Sequence, residues 1–103
     1  RAAVGTTYGF AAPLSQGIIA AFDRGEMDEA RKLQNLSAEM VAVYRKYSGA
    51  HPAMKTMMKI CGLDCGPVRL PLRSLSEVEE ETFRREIEAT GGLQYCPGAE
   101  NAG

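Results

Sequence analysis

The chain has 103 residues, 45% of them hydrophobic and 24% charged, with a net charge of −1. That is enough chain for one small domain with its own core, and the near-neutral charge excludes an electrostatic footprint for nucleic acid or an anionic membrane surface. No apolar run approaches the roughly 20 residues that a bilayer span needs, and the N-terminus lacks the basic-then-apolar layout of a secretory leader.

Three cysteines, Cys61, Cys65 and Cys96, are an odd number and do not make a secreted disulfide framework. With His51 the only histidine, four zinc ligands at a recognisable spacing are not available, so no metal and no cofactor are expected. These counts fit a reduced, cytoplasmic protein with half-buried thiols.

The opening, AAVGTTYGF, reads as a buried strand running into a turn. Val4 is β-branched, Gly5 breaks the run, and Thr6, Thr7 and Tyr8 restore β character. Next comes a helix of about a dozen residues with Pro13 in its first turn and Gly25 as its C-cap. Leu14, Ile18 and Phe22, with Ile19 beside them, give it one apolar face. Gly17 within it predicts a close helix contact.

A second helix follows, with Asp28 and Glu29 in its first turn and Arg45 and Lys46 in its last. Ala30, Leu33, Leu36 (or Ser37), Met40, Tyr44 and Tyr47 trace its 3.6-residue stripe, and Gly49 ends it. This stripe predicts the most buried helix of the chain. In the third helix Pro52 fits the first turn and Gly62 the C′ position. Met54, Met57, Met58 and Cys61 form a soft face that suits either core packing or a groove for a partner helix. His51 precedes this helix as a capping or surface residue.

LDCGPVRLPLRSL is irregular, because Pro67 and Pro71 exclude a helix. It reads as a strap across other elements. The last helix opens on a capping box, Ser76 with Glu79, and buries Phe83 and Ile87. Glu80–Arg84 and Glu81–Arg85 are i,i+4 pairs on its exposed side. Leu93 and Tyr95 dock, and the remaining residues trail off. A strand followed by an amphipathic helix is half of a βα unit, and a strand without a partner points to part of a larger α/β protein.

Three stretches carry a family resemblance. AAVGTTYGF resembles the eighth strand and following loop of the N-acetylneuraminate lyase and dihydrodipicolinate synthase family, where the segment reads like G-A-x-G-S-T-Y-N. FDRGEMDEARKLQ resembles the family's next loop and helix, and AMKTMMKICGLDCGPVRLPLRSLSEVE its C-terminal segment. The three run in family order from about residue 2 to residue 90, and GLDCGPVRLPL leans toward the N-acetylneuraminate lyase side.

The resemblance implies an α/β fold class: the C-terminal part of a (β/α)8 barrel, mostly helical, with one N-terminal strand. Residues 1–49 would hold the last barrel strand, its βα loop and helix, and the first C-terminal helix. Residues 50–103 would hold the remaining C-terminal helices, the strap and the tail. The two parts would form one domain together with residues upstream of Arg1. The family are class I aldolases, in which a strand lysine forms a Schiff base with pyruvate and a tyrosine relays protons. No catalytic residue of that kind falls in this chain, so the segment would be inactive alone.

Gly5, Thr6 and Thr7 correspond to the substrate-binding loop after the eighth strand. Thr6 stands where the lyase branch has a serine that touches the polyhydroxy tail of a sugar acid, and Gly9 stands where the family often has Asn. Pyruvate and an aldehyde or sugar acid are the implied substrates, and a homo-oligomer, a tetramer, the implied assembly. Read without the resemblance, the alternative is a stand-alone helical interaction module using the Met54/Met57/Met58 face.

Overall fold

A computed structural model describes residues 2–47 and 49–99. Its regular structure begins with helix α1, Tyr8–Asp23. The amides of Tyr8, Gly9 and Phe10 donate to the carbonyls of Gly5, Thr6 and Thr7 at 3.4, 3.4 and 3.3 Å, a tightened first turn. At Ala11 the backbone leaves helical geometry (φ −122°, ψ 35°). The cause is Pro13, whose ring would press on the carbonyl four residues back, that of Gly9.

The expected N-terminal strand is not formed among the described residues. Residues 2–5 have no regular structure, Val4 is fully exposed, and no strand occurs among the described residues. A strand exists through a neighbour's hydrogen-bond ladder. No second strand lies within the described residues, so the β-branched run has nothing to pair with. The first helix also begins at Tyr8 rather than near Pro13.

Helix α1 ends in a Schellman motif. The Gly25 amide (φ +76°) donates to the Phe22 carbonyl at 3.0 Å and the Glu26 amide to the Ala21 carbonyl at 2.9 Å. Helix α2, Met27–Tyr44, then folds back along it, burying Ala30, Leu33, Met40, Val43 and Tyr44. A Cβ at Gly17 would sit 3.3 Å from Leu33 Cδ1, so that glycine marks the close approach of α1 and α2. Leu36 is only partly buried, and Val43 takes the inward place beside Tyr44.

Helix α3, Ala50–Ile60, buries Pro52, Ala53, Thr56, Met57 and Ile60. Five of its 11 residues are buried, against five of 18 in α2, so α3 and not α2 is the more buried helix for its length. It closes with a second Schellman motif, Gly62 amide to Lys59 carbonyl at 3.0 Å and Leu63 amide to Met58 carbonyl at 2.9 Å. The irregular strap then leads to α4, Glu77–Thr90, whose Ser76–Glu79 capping box is fully formed. After Gly91 in the left-handed region (φ +78°), a 3-10 turn spans Gly92–Tyr95.

Phe83 and Ile87 of α4 are completely buried and occupy the centre of the core, with Leu14, Met57 and Tyr44. Three ring contacts tie α1, α2 and α4 together. Phe10 meets Tyr44 edge-on at 5.6 Å, Tyr44 stacks on Phe83 at 5.8 Å, and Tyr47 meets Phe83 edge-on at 5.4 Å. Met57 is fully covered, and Met54 and Met58 pack partly buried against the same core.

Candidate functional site

Gly5, Thr6 and Thr7 form the turn that feeds α1. Gly5 carries the ring of Tyr8 close above it: a Cβ there would meet the ring at 3.3 Å. Thr6 is exposed and Thr7 half-buried. Thr7 stands at the N-cap but makes no side-chain cap bond. Tyr8 is itself partly exposed, at 39%.

Residues 2–10 contain no lysine, histidine or carboxylate, and so no acid–base pair. The four lysines all lie elsewhere. Lys55 donates to the Cys65 carbonyl at 3.0 Å, holding the strap to α3. Lys59 pairs with Glu80 at 2.9 Å and Lys46 with Glu86 at 2.8 Å. Lys32 approaches Glu29 at 3.8 Å with its side chain 78% exposed. Each sits on or just after a helix, as the sequence indicates, and Lys59 is held above its usual pKa by its bond to Glu80.

The strongly shifted groups are likewise in packing contacts. Arg73 and the Ser76 backbone amide bond the Glu79 carboxylate and hold it down at about 2. Burial, then the hydrogen bond to Glu86, push Tyr47 up to about 12. His51 is exposed. Among the described residues no group of three His, Cys, Asp or Glu could hold a metal ion, and no helix is long and apolar enough to cross a membrane.

The residue pattern gave Thr6, Thr7 and Tyr8 β character and the resemblance put Gly5, Thr6 and Thr7 in a loop; neither pointed to Tyr8 as the cover of Gly5. The signal was present: an aromatic three residues after a glycine lies above it once the turn closes. Neither marked Glu79 as a hub. Its partner Arg73 lies outside the capping box.

The strap is fastened to α3 through Lys55 and to α4 through Arg73. Residues 1–90 match the dihydrodipicolinate synthetase family, and the chain belongs to it. Within that family the likeness leans to the N-acetylneuraminate lyases. The N-acetylneuraminate lyase of Rhizobium meliloti is 32% identical over 87 residues, covering 84% of this chain and 29% of that protein. The N-acetylneuraminate lyase of Lactiplantibacillus plantarum is 36% identical over 69 residues, covering 67% of this chain and 23% of its own length. The solved N-acetylneuraminate lyase of Proteus mirabilis superposes with a TM-score of 0.82 at 31% identity, over 88% of this chain and 30% of that one. The chain thus spans under a third of the proteins it matches.

Proposed function

We propose that the chain is the C-terminal segment of a Schiff-base-forming lyase of (β/α)8-barrel architecture. The complete enzyme would cleave or form a carbon–carbon bond between pyruvate and an aldehyde, with a sugar acid such as N-acetylneuraminate as substrate. The observation that carries this reading is the 0.82 superposition on a lyase of which the chain covers 30%. Residues 2–5 become the last barrel strand once neighbouring strands are present, which is why they stand exposed and unpaired here. In this reading residues 1–49 hold that strand, its loop and two helices, and residues 50–103 the remaining helices, strap and tail.

Gly5, Thr6 and Thr7 then lie at the C-terminal end of a barrel strand, where active sites of this architecture gather. Thr6 faces the distal tail of the substrate with one hydroxyl and one methyl. Chemistry requires a lysine whose ammonium is destabilised by a desolvated pocket. The four lysines of this chain are on or just after helices and hydrogen-bonded or solvated, so the segment is inactive alone. The complete enzyme is a cytoplasmic homotetramer that uses no cofactor or metal.

The alternative, a stand-alone interaction module, needs the Met54/Met57/Met58 face open to a partner helix. Met57 is fully buried, which leaves that reading with less to stand on.

A chimera tests the proposal. Residues 2–90 would replace the matching segment of the Rhizobium meliloti lyase. A folded chimera that forms a borohydride-trappable imine with pyruvate and cleaves N-acetylneuraminate supports it. A folded chimera that traps pyruvate but cleaves no sugar acid overturns the substrate assignment. A folded chimera that cannot trap pyruvate overturns the segment assignment.

A further inference from the structure

Cys61 caps the C-terminus of α3 and is half-exposed, while Cys96 follows the 3-10 turn and is buried in the core. They are 35 positions apart in sequence, yet the fold brings their backbones together. Gly98 (φ +89°) lies so close to the Cys61 carbonyl that no side chain fits between them, and a Cβ at Gly62 would come 3.9 Å from the Gly98 carbonyl. The Cys96 thiol donates to the Gly92 carbonyl at 3.5 Å. Beside the pair, the Tyr44 hydroxyl is buried with no hydrogen-bond partner, and both sulfurs are its electrostatic neighbours. Cys61 packs, partly buried, against the same core cluster that contains Cys96. Cys65, four residues along the strap, is exposed and outside this cluster.

We propose that Cys61 and Cys96 are a disulfide-forming pair, and that their oxidation staples the C-terminal tail to the end of α3. The oxidant is a small disulfide of the glutathione class. The half-exposed Cys61 thiolate attacks one sulfur of that disulfide, expelling one glutathione thiolate and leaving a mixed disulfide. Cys96 then loses its proton and attacks the Cys61 sulfur, expelling the second glutathione. Two protein thiols are oxidised, one glutathione disulfide is reduced to two thiols, and the two S–H protons end on those products. Burial holds both thiols above their usual range, so the reaction is slow and requires oxidising conditions rather than trace oxidant. Cys96 lies past residues 1–90, the stretch that the family model matches.

The test uses the purified Cys65→Ser protein, because Cys61 and Cys65 share a tryptic peptide. Equilibration with excess glutathione disulfide at mildly alkaline pH is expected to remove two hydrogens, about 2 Da. Non-reducing digestion should join the Cys61 and Cys96 peptides. The melting temperature should rise by about 5 °C or more, since the cross-link closes a long loop of the unfolded chain. Cys61→Ser and Cys96→Ser in the same background should each block the mass loss while remaining folded by circular dichroism. The proposal is overturned if the oxidised Cys65→Ser protein carries only glutathione adducts, or if both thiols stay fully alkylatable.

Discussion

Arg73 forks onto Glu79, with both of its bonds at 2.9 Å, and the same carboxylate accepts the Ser76 amide at 2.8 Å to close the capping box of α4. The strap and the helix start are therefore one unit, anchored on a single acidic side chain.

That unit fixes a pH dependence. Glu79 is held at about 2 when folded and returns to about 4.3 when unfolded. Between those values the unfolded chain binds more protons, so stability rises with pH there. The contribution is complete above about pH 5 and is lost as pH falls toward 2. In urea titrations, Glu79→Gln should flatten the fall in midpoint between pH 5 and 2. An unchanged slope would remove Glu79 from the acid response.

The core makes a graded prediction. Phe83 is fully enclosed and touches the rings of Tyr44 and Tyr47, so Phe83→Ala should cost about 3–5 kcal/mol. Leu36, only partly buried, should cost less than half as much on truncation to Ala. Chemical denaturation of the two variants measures both. Equal losses would put Leu36 in the core after all.

Gly98→Ala should cost more than about 1 kcal/mol, because it sets a side chain at positive φ and against the Cys61 carbonyl. Gly66→Ala has a similar φ of +75° but open space around its Cβ, and serves as the comparison. If both cost the same, steric contact with Cys61 adds nothing.

What was legible in the sequence was local. The Ser76–Glu79 box, Gly25 and Gly62 as helix ends, and Phe83 with Ile87 as an apolar stripe each follow from residues within one or two turns. The strand is not formed among the described residues because β-branched residues make a strand only where a ladder exists to pair with, and none does in residues 2–47 and 49–99. Leu36 and Val43 exchanged roles because a stripe along 18 residues fixes a helix face only broadly. Lys59–Glu80 joins positions 21 apart, beyond any periodic signal, and Glu80 thus bonds across helices as well as standing four residues before Arg84. Of the candidate site, Gly5, Thr6 and Thr7 were visible as a motif, whereas the placement of Tyr8 over Gly5 came from the turn itself.

Thr6 carries the specificity prediction, which rests on the proposed lyase function. In the complete enzyme, Thr6→Ser should shift relative kcat/KM among sugar acids by about 1–3 kcal/mol, the worth of one methyl group. Pyruvate binding should barely change. Identical relative rates across several sugar acids would remove Thr6 from the tail-binding wall.

The central claim is that this chain is one segment of a pyruvate lyase whose reactive lysine lies outside it. Incubating the purified chain with pyruvate, reducing with borohydride and weighing the product tests that directly. The account predicts no stoichiometric adduct on any of Lys32, Lys46, Lys55 or Lys59, while a full-length N-acetylneuraminate lyase treated in parallel gains one reduced pyruvate. Fast, complete labelling of a single lysine, Lys55 for instance, would contradict it and make the chain a small enzyme in its own right.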